Sequence, residues 1–133
     1  RITVQKDAYD LYLAQVWKKA NFYVGLYNMQ PTIDSLFYLL YTSNASWNES
    51  RWNNAAFDEL VLQARQTIDE AKRADLYAKA QMMLHEEVPN VVPFHMNLLG
   101  GRRDYVKDFE LHPRGAVYWM DNVWLTEDAP KRG

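Results

Sequence analysis

The chain has 133 residues, of which 48% are hydrophobic and 24% charged, a balance typical of one globular domain rather than of a disordered segment. Its net charge of −2, with no basic run longer than Arg102-Arg103, argues against nucleic acid as a partner, because phosphate binding needs clustered Lys and Arg. No apolar stretch approaches the roughly 20 residues that span a bilayer, and the absence of cysteine excludes a disulfide scaffold, a cysteine zinc site and a thiol nucleophile.

The N-terminal part is predicted to form a strand, a helix and a second strand. Residues 2–5 are short and β-prone, and Asp7 is the expected cap of the helix. The apolar face of this helix carries residues at i, i+3, i+4 and i+7 spacing: Leu13, Val16, Trp17 and Ala20. Residues 22–27, aromatic and β-branched around Gly25, are typical of a buried strand. This order of elements favours parallel pairing in an α/β fold.

Three more helices are predicted in the middle of the chain, and a proline ends the last of them. The first begins at Pro31-Thr32 and is followed by a loop over residues 42–53. Asn53 or Asn54 is expected to cap the next helix and Asp69 the last, because their side-chain oxygens accept hydrogen bonds from the free N–H groups of a first turn. The apolar faces are formed by Leu36, Phe37 and Leu40, by Phe57, Leu60, Val61 and Ala64, and by Leu76, Tyr77, Ala80, Met83 and Leu84.

After the last helix the pattern changes to short strands separated by turns. Residues 91–96, 106–111 and 116–125 are strand candidates, and Gly100-Gly101 predicts a turn between the first two. Residues 127–133 are interpreted as a polar tail.

The loop over residues 42–53 is polar, yet it carries Trp47 and Trp52. Solvated loops are normally built from small polar residues. Each tryptophan therefore has two open interpretations: it folds back onto the core, or it lines a ligand cleft, where a flat ring supplies contact area at low entropic cost. Uncharged hydrogen-bonding groups come from Asn44, Asn48 and Asn53.

Motifs for catalysis are absent or incomplete. His85, Glu86 and Glu87 match the start of H-E-x-x-H, but Pro89 stands where the second histidine belongs. No nucleophile elbow, dinucleotide fingerprint or P-loop is present. The sequence therefore predicts no enzyme, no metal and no cofactor. Two alternatives stay open: a small hydrolase or metal enzyme that uses these three residues, and an interaction domain whose aromatic residues form a subunit interface.

From Phe57 onwards the sequence resembles the C-terminal region of extracytoplasmic solute-binding proteins of the dipeptide/oligopeptide-binding class (bacterial solute-binding protein family 5), which serve ABC importers. The resemblance rests on Phe57-Asp58, Ala64, Asp69, Arg73, Leu76-Tyr77, Ala80-Gln81, Leu84, Pro89 and Pro93-Phe94. The upstream segment, with its proline-containing loop, also fits the class, so the resemblance covers about residues 2–125.

The resemblance implies an α/β fold, part of a type II periplasmic-binding-protein lobe, with a mixed sheet flanked by helices. Residues 1–126 would be the C-terminal portion of such a protein, mostly its C-terminal lobe. The implied partners are a peptide or other small-molecule ligand, the membrane permease of an ABC importer and the missing N-terminal part of the same protein. The natural gene product is expected to be longer at its N-terminus and exported to the periplasm or another extracytoplasmic location.

In that class the segment after the strand at residues 22–27 lines the ligand cleft. The resemblance therefore implies a substrate-binding role for Tyr27, Asn28, Met29, Gln30, Trp47 and Asn48. A typical peptide binder has an aspartate in this loop that holds the α-amine of the peptide. Here no carboxylate occurs before Asp34, which is expected to cap the next helix. An unpaired buried ammonium is costly, so this departure favours a neutral or differently charged ligand over a free peptide.

Overall fold

The computed structural model describes residues 2–112 and 120–131. Its first unit, here the helical unit, ends at Val91, and its second unit begins at Val92. The helical unit contains α1 (Tyr9–Leu11), a π-helical turn (Tyr12–Val16), α2 (Ile33–Leu40), α3 (Ala55–Gln66) and α4 (Glu70–Glu87). The second unit contains β1 (Val106–Lys107) and β2 (Trp124–Leu125). Within the described ranges, no helix combines the length and apolar character needed to cross a membrane.

The core of the helical unit lies where α2, α3 and α4 pack together. Its buried side chains are Phe37, Phe57, Val61, Ala64, Tyr77 and Ala80. All of them belong to the apolar faces predicted from the helical spacing. The Phe57 ring lies 5.4 Å from the Phe37 ring, between centroids, so an aromatic contact joins α3 to α2.

The predicted caps of α3 and α4 are confirmed. The Asn54 side chain accepts hydrogen bonds from the backbone N–H groups of Ala56 and Phe57, and the Asp69 side chain accepts one from Lys72. These bonds satisfy donors that have no partner inside a helix.

The predicted caps of α1 and α2 are wrong. Thr32 caps α2 through a reciprocal pair of bonds with Ser35, because Thr32 is the extended residue directly before the first turn. Asp34 lies inside that turn, where its carboxylate accepts a hydrogen bond from the Tyr77 hydroxyl at 2.9 Å. Before α1 the cap position is taken by Ala8, while the Asp7 carboxylate accepts a hydrogen bond from the Gln5 side chain.

Replacing Asn54 with alanine is expected to destabilise the helical unit by about 1 kcal/mol, since two backbone donors at the start of α3 lose their acceptor. Urea unfolding of the wild type and the variant measures the change. Replacing Asn53, which lies outside the cap, is the matched control. An equal loss in both variants would contradict the cap assignment.

The strand–helix–strand prediction for the N-terminal part is wrong within the described residues. The expected helix is limited to α1 and the π-helical turn, and the only sheet among the described residues pairs β1 with β2, both in the second unit. Residues 2–5 and 22–27 therefore have no neighbouring strand to bond with, and a strand exists only through such pairing.

In residues 22–27, partly buried and exposed side chains nevertheless alternate along much of the segment, as in an extended chain. Tyr23 and Tyr27 are partly buried, whereas Phe22, Val24 and Leu26 are exposed. One side of the segment thus faces the rest of the helical unit, and the other side presents apolar groups to solvent.

In the second unit β1 and β2 pair antiparallel, with Val106 opposite Leu125. The predicted strand over residues 106–111 is reduced to β1, and that over 116–125 is reduced to β2, with residues 116–119 outside the described part. The predicted strand at 91–96 is not found. This combination of helices and a small sheet is compatible with part of an α/β lobe.

Candidate functional site

Aromatic side chains from three segments of the helical unit form the feature here named the aromatic cluster: Tyr9, Tyr12, Trp17, Tyr23, Tyr27 and Trp47. The ring of Trp47 lies 5.4 Å from that of Trp17 and 6.1 Å from that of Tyr27, both in edge-to-face geometry. Such contacts hold rings in fixed orientations without covering their faces completely. The cluster therefore forms a partly exposed aromatic wall.

The carboxylate of Glu49 lies among these rings. Its Oε1 accepts hydrogen bonds from the Tyr27 hydroxyl at 2.7 Å and from the Trp17 indole N–H. A β-carbon at position 25 would lie only 2.9 Å from Glu49 Oε2, so Gly25 is what allows the carboxylate to approach the backbone of the 22–27 segment. The alternation of that segment places Tyr23, Gly25 and Tyr27 on the side that faces Glu49.

Burial raises the pKa of the hydroxyls of Tyr12, Tyr23 and Tyr27 above its ordinary value, and the nearby Glu49 carboxylate adds to the increase in each. The phenols therefore stay neutral at physiological pH, as hydrogen-bond donors. The carboxylate supplies the negative charge of the cluster.

Two of the predicted site residues, Tyr27 and Trp47, are brought together in the aromatic cluster. Asn28 and Met29 are exposed and Gln30 is partly buried, and the role of all five as ligand contacts stays a prediction.

Asn48, the sixth predicted site residue, is only 6% exposed. Its side-chain amide donates to the backbone carbonyls of Thr42 and Trp52, and its Oδ1 accepts from Ser50. These bonds hold the loop in shape, and a direct contact of Asn48 with ligand stays a prediction.

The two loop tryptophans take different roles. Trp52 folds back onto the core, with its ring 4.9 Å from that of Phe57 and its indole N–H donating to Glu87 at 2.7 Å. Trp47 is 46% exposed and packs on the aromatic cluster instead. The core interpretation therefore holds for Trp52, while Trp47 keeps a surface that a ligand can reach.

The incomplete metal motif lies at the end of α4. His85 and Glu86 are exposed, and the Glu87 carboxylate accepts hydrogen bonds from Trp52 and Asn54. Glu87 thus anchors the loop to α4. Among the residues that the structure describes, no group of three or more His, Asp or Glu side chains is arranged to hold a metal ion.

A separate groove of about 630 Å³ contains none of the predicted site residues. Its charged groups largely satisfy one another and the backbone: Asp34 lies 3.3 Å from the guanidinium of Arg65, and Arg73 donates to the carbonyls that follow α3. Burial and the hydrogen bond to Asp34 raise the pKa of Tyr77, in this groove, to about 12. The aromatic cluster is therefore the better candidate site.

Because the folded-state pKa of Tyr77 lies above its ordinary value of 10.0, the phenol stabilises the fold fully below pH 10 and loses that contribution as the pH rises towards 12. In Tyr77→Phe, the free energy of unfolding at pH 8 is expected to fall by about 1 kcal/mol, because the hydrogen bond to Asp34 is lost. Between pH 10 and 11 the free energy of unfolding is expected to fall less in this variant than in the wild type. Urea midpoints at pH 8, 10 and 11 measure both effects. If the urea midpoints of the wild type and the variant fell in parallel between pH 8 and 11, the raised pKa of Tyr77 would be contradicted.

Sequence reasoning missed Glu49 and the role of Trp17. The helical spacing predicts that Trp17 faces a core, and the polar composition of residues 42–53 predicts only a loop position for Glu49. The available signal was that Glu49 is the lone acidic residue of the 42–53 loop, two positions after a tryptophan.

Comparison with known proteins relates the sequence of this chain to one class. Di/tripeptide-binding protein 1 of Pseudomonas aeruginosa is 40% identical over 68 residues, which is 51% of this chain. The dipeptide-binding protein of Escherichia coli is 33% identical over 93 residues, 68% of this chain. A probable deoxycholate-binding periplasmic protein of Escherichia coli is 34% identical over 77 residues, 57% of this chain.

The chain is a homologue of the dipeptide-binding class of solute-binding proteins. The matched regions of this solute-binding-protein homologue cover only 13–17% of the length of those three relatives, consistent with a C-terminal fragment. No protein-family model matches the chain, and no solved structure matches it. The relatives are named as binding proteins rather than as enzymes.

Proposed function

We propose that this homologue is part of the substrate-binding protein of an ABC importer, which binds dipeptides, longer peptides or another small polar solute and delivers it to a membrane permease. The observation that carries the proposal is the identity of 33–40% to proteins named for dipeptide or di/tripeptide binding. Their names as binding proteins also support a role without catalysis, and the relative named as a periplasmic protein supports an extracytoplasmic location.

The geometry of the aromatic cluster supports a ligand wall. Trp47 offers an exposed indole face held by two neighbouring rings, and Tyr27 adds a phenol at the end of the 22–27 segment. Rigid rings of this kind bind small ligands with large contact area and little loss of conformational entropy. In this proposal Asn28, Met29 and Gln30 continue the wall, and Asn48 holds the loop that presents Trp47.

The missing parts of the protein would complete the site. Phe22, Val24 and Leu26 form an exposed apolar side opposite the cluster. Such a row is expected to be covered by other elements in the whole protein. Closure around a ligand also needs the second lobe.

The enzyme alternative based on His85, Glu86 and Glu87 is not favoured, because the relatives are binding proteins and Glu87 anchors Trp52. A bile-acid anion is a second ligand class, since one relative is named for deoxycholate. The Glu49 carboxylate in the cluster disfavours an anion at that position, because like charges repel more strongly away from bulk water.

Calorimetric titration of the complete gene product tests the ligand class. Ala-Ala and tri-alanine are expected to bind saturably with one site per chain, whereas maltose and deoxycholate are not. Binding of maltose without peptide binding would replace the peptide by another small polar solute, and binding of deoxycholate alone would overturn both ligand classes. Delivery to a permease is tested by uptake of labelled Ala-Ala in cells, which is expected to fall when the gene is deleted and to return on complementation.

A further inference from the structure

The charge of Glu49 has no counterion in the described part of the chain. The ion pairs there join Arg65 to Asp34 and Lys79 to Asp75. The hydrogen bonds to Glu49 come from neutral groups, the Tyr27 hydroxyl and the Trp17 indole. Neutral donors fix the position of a carboxylate but leave its charge uncompensated.

Two basic side chains that join the loop over residues 42–53 to the π-helical segment are engaged with backbone carbonyls. Lys18 Nζ donates to the Ser46 carbonyl at 2.6 Å, and the Arg51 guanidinium donates to the carbonyls of Lys18 and Lys19. Both contacts tie the loop to the end of the π-helical segment. Neither side chain forms an ion pair with Glu49.

The surroundings of Glu49 suit a cation and repel an anion. Aromatic faces carry negative quadrupole potential, and a cation within about 6 Å of a ring centroid is attracted to it. The Lys18 ammonium already lies 5.8 Å from the Trp17 ring, so the edge of the cluster accommodates a group of this chemistry. A cation bound beside Glu49 would therefore pair with the charge of the partly buried carboxylate and also be attracted to the faces of the neighbouring rings.

We propose that Glu49, with Trp17, Tyr27 and Trp47 around it, binds the ammonium group of a ligand. The anchor is thus supplied by the loop over residues 42–53, and not by residues 27–30, where no carboxylate occurs. The inference rests on the proposed function in one respect: the ammonium is identified as the free amine of a peptide.

The structure offers a matched pair of carboxylates for the test. Glu49 and Glu87 each accept a hydrogen bond from a tryptophan indole, Trp17 and Trp52 respectively. Only Glu49 lies in the aromatic cluster. Glu49→Gln and Glu87→Gln therefore both keep an acceptor and remove a charge, but only the first removes it from the proposed cation site.

Ala-Ala and N-acetyl-Ala-Ala are titrated calorimetrically into the complete gene product. Ala-Ala carries a free ammonium group, whereas the acetylated peptide does not. The wild type is expected to bind Ala-Ala about 10- to 100-fold more tightly, the range for a hydrogen bond to a charged group. Glu49→Gln is expected to abolish that preference, and Glu87→Gln to retain it. No preference in the wild type, or an unchanged preference in Glu49→Gln, overturns the proposal and leaves Glu49 as a structural hydrogen-bond acceptor only.

If the wild type binds neither peptide, the proposed function fails, and a second pair of probes judges the cation site by itself. n-Butylammonium and n-butanol are titrated while the indole N–H signals of Trp17 and Trp47 are followed by NMR. A response to the ammonium at least about 10-fold more sensitive than to the alcohol, lost in Glu49→Gln, supports the site. Equal responses, no response, or a response that survives in Glu49→Gln overturn it.

Discussion

Replacing Phe57 with alanine is expected to lower the free energy of unfolding of the helical unit by about 3–5 kcal/mol, the range for removing a fully buried ring. Phe57 is 0% exposed, and its ring lies 4.9 Å from that of Trp52 and 5.4 Å from that of Phe37. The substitution removes the hydrophobic contribution of the ring and leaves a cavity that two large rings cannot fill without losing their own contacts.

Native-state hydrogen exchange on peptides from α3 and α4 measures this loss within the complete gene product. Leu62→Ala is the matched control on the same helix, since Leu62 is half exposed and is expected to cost less than about 1 kcal/mol. Similar costs for both variants would show that the core of the helical unit is not centred on Phe57.

Replacing Trp47 with alanine is expected to weaken ligand binding by about 1–3 kcal/mol while leaving the melting temperature nearly unchanged. Trp47 contributes an exposed ring to the aromatic cluster and is not part of the core. Its loss therefore removes contact area from the proposed ligand wall without opening a cavity. Calorimetric titration with Ala-Ala, beside melting curves, measures both quantities.

Trp52→Ala is the matched control, because it removes the same side chain from the same loop. It is expected to lower the melting temperature, since the Trp52 ring packs on Phe57 and its indole N–H anchors Glu87. If instead Trp47→Ala lowers the melting temperature and leaves binding unchanged, Trp47 is a structural residue. If it changes neither, the ligand site lies elsewhere.

The helices that form the core could be predicted from the sequence because their signals are local. The caps at Asn54 and Asp69 depend on bonds to N–H groups within three residues, and the buried face of α3 follows from a period of 3.6. The resemblance that began at Phe57 was also carried by this part of the chain, and the relatives confirm it.

Strands are different, because extended residues become a strand only when another segment completes their hydrogen bonds. Residues 22–27 have the composition of a strand and the alternation of one, but no partner strand occurs among the described residues. Whether these residues form a strand depends on a second segment that pairs with them. Their composition alone does not show whether such a segment lies beside them.

The roles of the loop residues were decided by tertiary structure. Trp47 and Trp52 have the same side chain in the same loop, yet the contacts with Trp17 and Phe57, respectively, give one to the aromatic cluster and the other to the core. Glu49 reaches the cluster through a bond to Trp17, 32 positions away in sequence. The sequence by itself determined the three core helices α2, α3 and α4, whose bonds run between near neighbours. Only the tertiary structure decided which side chains form the site, because they come from segments that meet through folding.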